Sequence, residues 1–315
     1  MPVQTISHVL ALTAPLFALI LVGYALVRWG RWPKAASDAL NRFTFSVAVP
    51  ALLFRLMSDF SRMPSVDARL LVAFFGGCLL VFVLGRVVAR RLYALDGVGQ
   101  SVFAIGGVFS NNVLVGVPIA KVTLGDAAMP TVSLIVVFNA LVLWMLVTLS
   151  VEWARTGRAS LTGVAQTTLN VARNPVVAGI LLGTAWGWAG IPLPDLADRT
   201  LQMIGEAAVP LSLIALGMGL AEYGLAEGWR ESAAITALKL VALPLVVYGF
   251  ARLLALPPTE TQAVTLLAAL PVGANVYLMA REFGTLSGPV ATSLVLSTAL
   301  AAVTTPLVLA LMGAP

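Results

Sequence analysis

The sequence is poor in charged residues, histidine and cysteine. Only 10% of its 315 residues are charged, whereas about 25% are charged in a typical soluble domain. A single cysteine, Cys78, cannot form a disulfide within the chain, and a single histidine, His8, leaves no cluster of His and Cys ligands for a metal. These shortages argue against a metalloenzyme and a thiol enzyme. No metal or other cofactor is expected.

Apolar residues are abundant instead. They make up 59% of the chain, and the mean hydropathy is +0.96. The apolar runs have the length of membrane-spanning helices, because roughly 20 apolar residues are needed to cross the hydrocarbon layer. The sequence therefore predicts an all-α polytopic membrane protein. Windows bounded by charges, Gly and Pro predict ten spans, at 8–29, 37–57, 68–91, 98–124, 127–151, 174–190, 197–221, 230–254, 259–281 and 287–312.

The formal net charge of +5 would suggest nucleic acid as a partner of a soluble protein, but here the basic residues are spread over short loops, as membrane orientation requires. We expect no nucleic-acid partner. The odd-numbered connections contain Arg28, Arg31, Lys34, Arg86, Arg90, Arg91, Arg155, Arg158, Arg173, Arg230 and Arg281. The even-numbered connections contain only Arg55, Arg62, Arg69, Lys121, Arg199 and Arg252. Because positive loops stay in the cytoplasm, both termini are predicted to lie outside.

An offset of 160 residues aligns the chain with itself. The segment from Pro15 to Gly23 then matches Pro175 to Gly183, and Ala48-Val49-Pro50 matches Ala208-Val209-Pro210. Chance matching among apolar residues is the alternative explanation. A duplication gives two five-helix repeats, 1–152 and 174–315, joined by a cytoplasmic connector, 153–173. Because each repeat has an odd number of spans, the second is inverted, as in many secondary transporters.

Matching interruptions occur in spans four and nine. The first runs from Ser110 to Pro118 and the second from Pro271 to Asn275. Proline and glycine break helices, and the N-termini of the resulting half-helices can present N–H groups to an anion. The alternative is simple kinks whose Asn side chains bond neighbouring helices. The residues predicted to bind substrate are Asn111, Asn112, Gly116, Pro118, Pro271, Gly273 and Asn275.

Two ionisable residues inside predicted spans are candidates for coupling or gating, since charge is costly within a membrane. Glu206 lies one helical turn before Pro210 and could carry a proton; the alternatives are an ion pair or a water-facing position near the end of the span. Lys239 lies near the middle of span eight, before Pro244. A structural or gating role is favoured for Lys239 over direct contact with substrate.

The chain resembles the auxin efflux carrier family, whose bacterial members include malonate and other small-carboxylate carriers. The resemblance covers essentially the whole chain. It is carried by Asn111 to Pro118, Pro210 to Gly217, Lys239 with Pro244, and Pro271 with Asn275. One departure is the connector, which is short here and long in the plant relatives.

The resemblance implies a fold similar to that of bile-acid symporters. Spans 1, 2, 6 and 7 would form a scaffold, and spans 3–5 and 8–10 a transport domain that carries broken crossing helices 4 and 9. It also implies an elevator mechanism and a homodimer in the bacterial inner membrane, where the lipid bilayer surrounds the protein.

The function that these features favour is secondary active transport of a small organic anion, a mono- or dicarboxylate such as malonate, with protons as the candidate coupling ion. A channel or a membrane receptor on the same fold is the alternative. A channel should have a continuous polar pore, whereas the polar residues here cluster at two breaks. No nucleophile with a base is evident, so an enzyme is not expected.

Overall fold

The computed structural model describes residues 2–58, 67, 69–156, 175–222 and 228–312. These residues are helical and contain no β-strand. Both chain ends and most of the predicted connector, from residue 157 onward, lie outside the described residues.

Among the described residues, the N-terminal half contains seven α-helices: α1 (Pro2–Arg28), α2 (Lys34–Phe43), α3 (Val49–Ser58), α4 (Arg69–Tyr93), α5 (Gly97–Gly106), α6 (Val117–Leu124) and α7 (Met129–Thr156). Short irregular helical turns complete it: π turns at Thr44–Ala48 and Asn112–Gly116, and a 3₁₀ turn at Asp126–Ala128.

The part of the C-terminal half that the structure describes also contains seven: α8 (Pro175–Ala189), α9 (Asp195–Glu222), α10 (Trp229–Ala237), α11 (Leu243–Leu253), α12 (Pro258–Ala268), α13 (Ala274–Phe283) and α14 (Ser287–Leu311). A π turn at Leu238–Ala242 joins α10 to α11.

Six helical segments among the described residues are long and apolar enough to cross a membrane. They are Lys34–Ser58, Arg69–Tyr93, Asp126–Arg155, Asp195–Ala221, Trp229–Leu253 and Ser287–Leu311. Shorter apolar helices include Ala14–Arg28 and Pro175–Ala189. The expectation of a helical, polytopic membrane protein is confirmed.

Local sequence signals explain where several helices begin and end. Asp96 caps α5 by accepting a hydrogen bond from the Gly99 N–H at 2.9 Å. Before α4, the Arg69 guanidinium donates to Asp67 at 2.8 Å and lowers the pKa of that half-buried carboxyl group below its ordinary value. Gly284 ends α13 in the left-handed region, at φ 73°.

Glycines allow two pairs of helices to pack backbone to backbone. A Cβ atom added to Gly217 of α9 would lie 1.9 Å from the Ile20 carbonyl oxygen of α1, and one added to Gly23 of α1 would lie 2.1 Å from the Ile214 oxygen of α9. Similarly, Gly183 of α8 lies against Phe54 of α3, where an added Cβ would be 2.4 Å from the carbonyl oxygen. Small residues commonly permit such close packing in membranes.

The remaining helices pack around two helix breaks. α4 packs against α11 and α5, while α14 packs against α1, α10 and α13. One break separates α5 from the turn that begins at Asn112, and the other separates α12 from α13.

Candidate functional site

The two helix breaks lie side by side and bond to each other. The Asn111 N–H donates to the Pro271 carbonyl at 3.0 Å, and the Gly273 N–H donates to the Phe109 carbonyl at 2.8 Å. Ser110 thereby lies opposite Val272 in a single antiparallel bridge. Backbone groups freed from helical bonding must find partners at membrane depth, and these two breaks supply them to each other.

A helix begins on each side of this crossing. Asn111 precedes the turn that leads into α6, and its carbonyl accepts hydrogen bonds from Val115 and Gly116. Gly273 precedes α13. The first N–H groups of any helix lack intrahelical acceptors, and they form the positive end of the helix dipole. Two such ends therefore meet at the crossing.

Gly273 is required for the close approach of the two breaks. A Cβ atom at this position would lie 2.9 Å from Cδ1 of Phe109 and 3.1 Å from the Ser110 carbonyl oxygen. Any side chain would push the two extended segments apart. The absence of a side chain at Gly273 therefore allows the two breaks to approach closely enough to bond.

A cavity of about 280 Å³ lies beside the crossing. Its walls come from both breaks and from three other parts of the chain: the π turn after α2, the middle of α7 and the start of α8. The lining residues are 45–46, 109–114, 136, 139, 175–177 and 273–275. None of them is Asp, Glu, Lys or Arg.

Several polar side-chain atoms in this wall are buried without a hydrogen-bond partner among the described residues. They are Oγ of Ser110, Nδ2 of Asn111, Nδ2 and Oδ1 of Asn112, and Oδ1 of Asn139. An unpaired buried polar group costs about 1–3 kcal/mol. All five atoms belong to residues that line this cavity, so a polar ligand or water that reached them could satisfy them.

The structure brings four of the predicted binding residues to the cavity: Asn111, Asn112, Gly273 and Asn275. Asn111 and Asn112 are only 6% and 3% exposed, whereas Asn275 is exposed. Their proximity is a finding, and their contact with substrate stays a prediction.

Gly116, Pro118 and Pro271 do not line the cavity. The first break ends before Gly116, which packs against Leu267 of α12 and against Leu270, which follows that helix. Pro118 is the second residue of α6, which continues directly from the π turn Asn112–Gly116. Pro271 lies in its break as predicted, and its carbonyl bonds Asn111. The predicted contact of these three residues with substrate stays a prediction.

The two candidate coupling or gating residues also lie away from the cavity wall. Glu206 is exposed on α9 and accepts a hydrogen bond from Nε2 of Gln202 at 2.9 Å. Lys239 is fully buried in the π turn between α10 and α11, and its Nζ donates to the Ala268 carbonyl at 2.5 Å. Neither position tests a role in coupling.

Asn139 is the main cavity residue that the sequence predictions missed. It is an isolated asparagine in the apolar α7 and is 4% exposed. A polar residue in such a run is costly in a membrane and could have been singled out for that reason. By contrast, Phe45, Ser46 and Pro175 carry no local signal that would place them near spans four and nine.

Comparison with known proteins matches nearly the whole chain to one family. The sequence model of the family described as "Membrane transport protein" matches residues 8–309. A Rhizobium meliloti (strain 1021) protein named "Putative malonate transporter" is 26% identical over 95% of this chain and 94% of its own length. Arabidopsis thaliana "Auxin efflux carrier component 8" is 23% identical over 88% of this chain and 90% of its own. Escherichia coli (strain K12) "Uncharacterized transporter YfdV" is 24% identical over 93% of this chain and 94% of its own length.

Proposed function

Because the chain belongs to the membrane transport protein family, which includes the auxin efflux carriers, we propose that it is a secondary active transporter of a small organic anion. The observation that carries the proposal is the cavity at the crossing, with its unpaired amides and two helix N-termini. We propose transport without catalysis, as expected of a carrier.

The electrostatics of the cavity favour a carboxylate. Helix N-termini and amide N–H groups attract negative charge, while the described residues of the wall include no acidic side chain to repel it. The volume of about 280 Å³ falls just below the 300–1,000 Å³ common for ligand pockets, which favours a small solute. A mono- or dicarboxylate fits these conditions, and malonate is the first compound to test because of the Rhizobium relative.

A ligand screen and an uptake assay test this function. Malonate and other small mono- and dicarboxylates should raise the melting temperature of the purified protein, because a ligand stabilises the state to which it binds. Labelled malonate should enter proteoliposomes that contain the protein and be competed by unlabelled ligand. If no carboxylate produces a shift or competition, the proposed substrate class is wrong.

We also propose the ten-span architecture, with two inverted repeats at 1–152 and 174–315. In the glycine contacts, Gly23 lies against Ile214 and Gly183 lies against Phe54. Adding 160 to 23 and to 54 gives 183 and 214, so the two contacts are equivalent under the offset found in the sequence. This equivalence supports a two-fold relation between spans 1 and 7 on one side and spans 6 and 2 on the other.

Spans 1, 2, 6 and 7 are proposed as the scaffold, and spans 3–5 and 8–10 as the transport domain. Within the described residues, α1 packs on α9 and α3 packs on both α8 and α9, whereas α4 packs on α11 and the two breaks join. Sliding of the second group along the first would carry the crossing across the membrane by an elevator movement. A homodimer through the scaffold, in the bacterial inner membrane, completes the proposal.

The cavity wall includes the first three residues of α8, next to the connector. If the connector is cytoplasmic, this part of the wall lies toward the cytoplasmic side of the crossing. The orientation gives a prediction. In a Cys78→Ala background, a cysteine placed at Pro315 should react with a membrane-impermeant thiol reagent in intact cells, whereas a cysteine at Ser160 should react only after lysis. The reverse pattern would contradict the positive-inside assignment.

Proton coupling through Glu206 is a further prediction. The Glu206→Gln variant should show uptake that responds less to an imposed pH gradient, because the carboxyl group can no longer carry a proton. Glu260→Gln, at the start of α12, is the matched control and should respond like the wild type. Equal responses of Glu206→Gln and wild type would remove Glu206 as the proton carrier.

A further inference from the structure

Lys239 is fully buried in a membrane-spanning region. It is 0% exposed, and it is the only charged side chain in the buried core of the described residues. An ammonium group in such surroundings is costly unless it is well paired. Because it does not line the cavity, the structure must hold it there for another reason.

The partner of Lys239 is the end of a broken helix. Its Nζ donates to the carbonyl of Ala268, the last residue of α12, at 2.5 Å. The final carbonyl groups of a helix lack intrahelical donors and form the negative end of the dipole. The lysine therefore supplies a charged donor at the point where the second break begins.

Two buried side chains of α14 hold the same break. Oγ1 of Thr305 donates to the Ala269 carbonyl at 3.3 Å, and Oγ of Ser297 accepts from the Val272 N–H at 3.0 Å. Both residues are 0% exposed. The second break is thus bonded by three side chains, whereas Ser110, Asn111 and Asn112 of the first break have side-chain atoms without partners among the described residues.

We propose that Lys239 is a positioning residue that holds the second break in its shape before substrate arrives. Together with Ser297 and Thr305 it fixes the segment that leads to Gly273 and α13. The first break then supplies the unpaired groups that the ligand satisfies. The effect on substrate affinity rests on the proposed function, while the effect on the shape of the break does not.

Hydrogen exchange of the ligand-free protein tests the positioning role. In Lys239→Met, which keeps the length of the side chain but removes its charge and donors, the backbone N–H groups of Val272 and Gly273 should exchange about tenfold faster or more, as expected for the loss of a hydrogen bond from a charged group. Thr305→Val should produce a smaller increase at the same place. Thr298→Val is the matched control, because Thr298 bonds Leu294 within α14, and it should leave the break unchanged.

Malonate binding by the same variants provides the second readout. Lys239→Met should weaken malonate affinity about tenfold or more, Thr305→Val less, and Lys239→Arg should recover part of the loss because it retains a charged donor. If the wild type does not bind malonate, the proposed substrate is wrong, but the exchange experiment still decides the role of Lys239. Wild-type exchange at Val272 and Gly273 in folded Lys239→Met overturns the proposal. If Lys239→Met does not fold, the proposal is overturned by wild-type exchange at Val272 and Gly273 in both Thr305→Val and Ser297→Ala.

Discussion

Replacement of Asn112 by leucine is expected to abolish binding of small carboxylates. The leucine side chain offers no hydrogen bond at the cavity wall, whereas both amide atoms of Asn112 lack a hydrogen-bond partner among the described residues and are proposed to bind the ligand. Asn112→Ala should weaken affinity roughly ten- to a hundredfold, corresponding to about 1.5–3 kcal/mol for a hydrogen bond to a charged ligand. Isothermal titration with malonate, or with the carboxylate that gives the largest thermal shift, measures both effects.

The Asn112→Leu variant should not lower the melting temperature of the ligand-free protein. Replacement of a buried amide that lacks partners by an apolar side chain removes a desolvation cost. Asn41→Leu is the control for an Asn-to-Leu change outside the cavity, because Asn41 bonds Ser37 within α2, and it should retain normal affinity. Normal affinity in folded Asn112→Leu would place the binding site elsewhere.

Alanine variants of Asn111 and Asn275 distinguish a binding site at the crossing from one centred on Lys239. Alanine at either position should weaken malonate binding roughly ten- to a hundredfold, since both residues line the cavity. If both alanine variants bind malonate normally while Lys239→Gln loses it, the crossing site is wrong. A site around the lysine must then replace it.

Gly217→Ala is expected to produce the largest loss of stability. The new methyl group would lie 1.9 Å from the Ile20 carbonyl oxygen and 2.9 Å from the Tyr24 nitrogen, so α1 must move away from α9. Overpacking of this kind costs about 1–3 kcal/mol, which corresponds to a fall of roughly 2–10 °C in melting temperature. Thermal unfolding in detergent, followed by circular dichroism, measures the change.

Gly219→Ala is the control on the same helix. An added Cβ at Gly219 has no neighbour within 4 Å, and alanine favours the helical backbone over glycine. It should match or exceed the wild-type melting temperature. Equal melting temperatures for Gly217→Ala and Gly219→Ala would contradict the close contact between α1 and α9.

Features within one helix were predictable from the sequence because they depend on local chemistry. The breaks in spans four and nine follow from Gly and Pro in apolar runs, and α5 and α12 do end within those spans. The limits of the first break were less predictable. Pro118 indicated an interruption, but helical structure resumes six residues earlier, at Asn112, and continues through the proline into α6.

Features that depend on which helix faces meet were not predictable in the same way. Asn139 lies in the cavity wall because α7 packs beside α5 and α6. Pro175 lies there because α8 packs against α3. The bond from Lys239 to Ala268 joins residues of two different spans. Sequence spacing gives the face of a residue on its own helix, but gives no partner across the bundle.

The sequence by itself determined that this protein lies in a membrane as a bundle of helices, two of them broken, because a bilayer excludes unpaired backbone and selects apolar runs of a fixed length. It also determined which polar residues lie at the breaks. Only the tertiary structure decided that the breaks bond to each other, that a cavity forms beside them with no charged side chain among the described residues of its wall, and that Lys239 faces a helix end. Those outcomes depend on close packing between distant segments, such as Gly217 against Ile20 and Gly273 against Phe109, where the fit of surfaces decides which groups can meet.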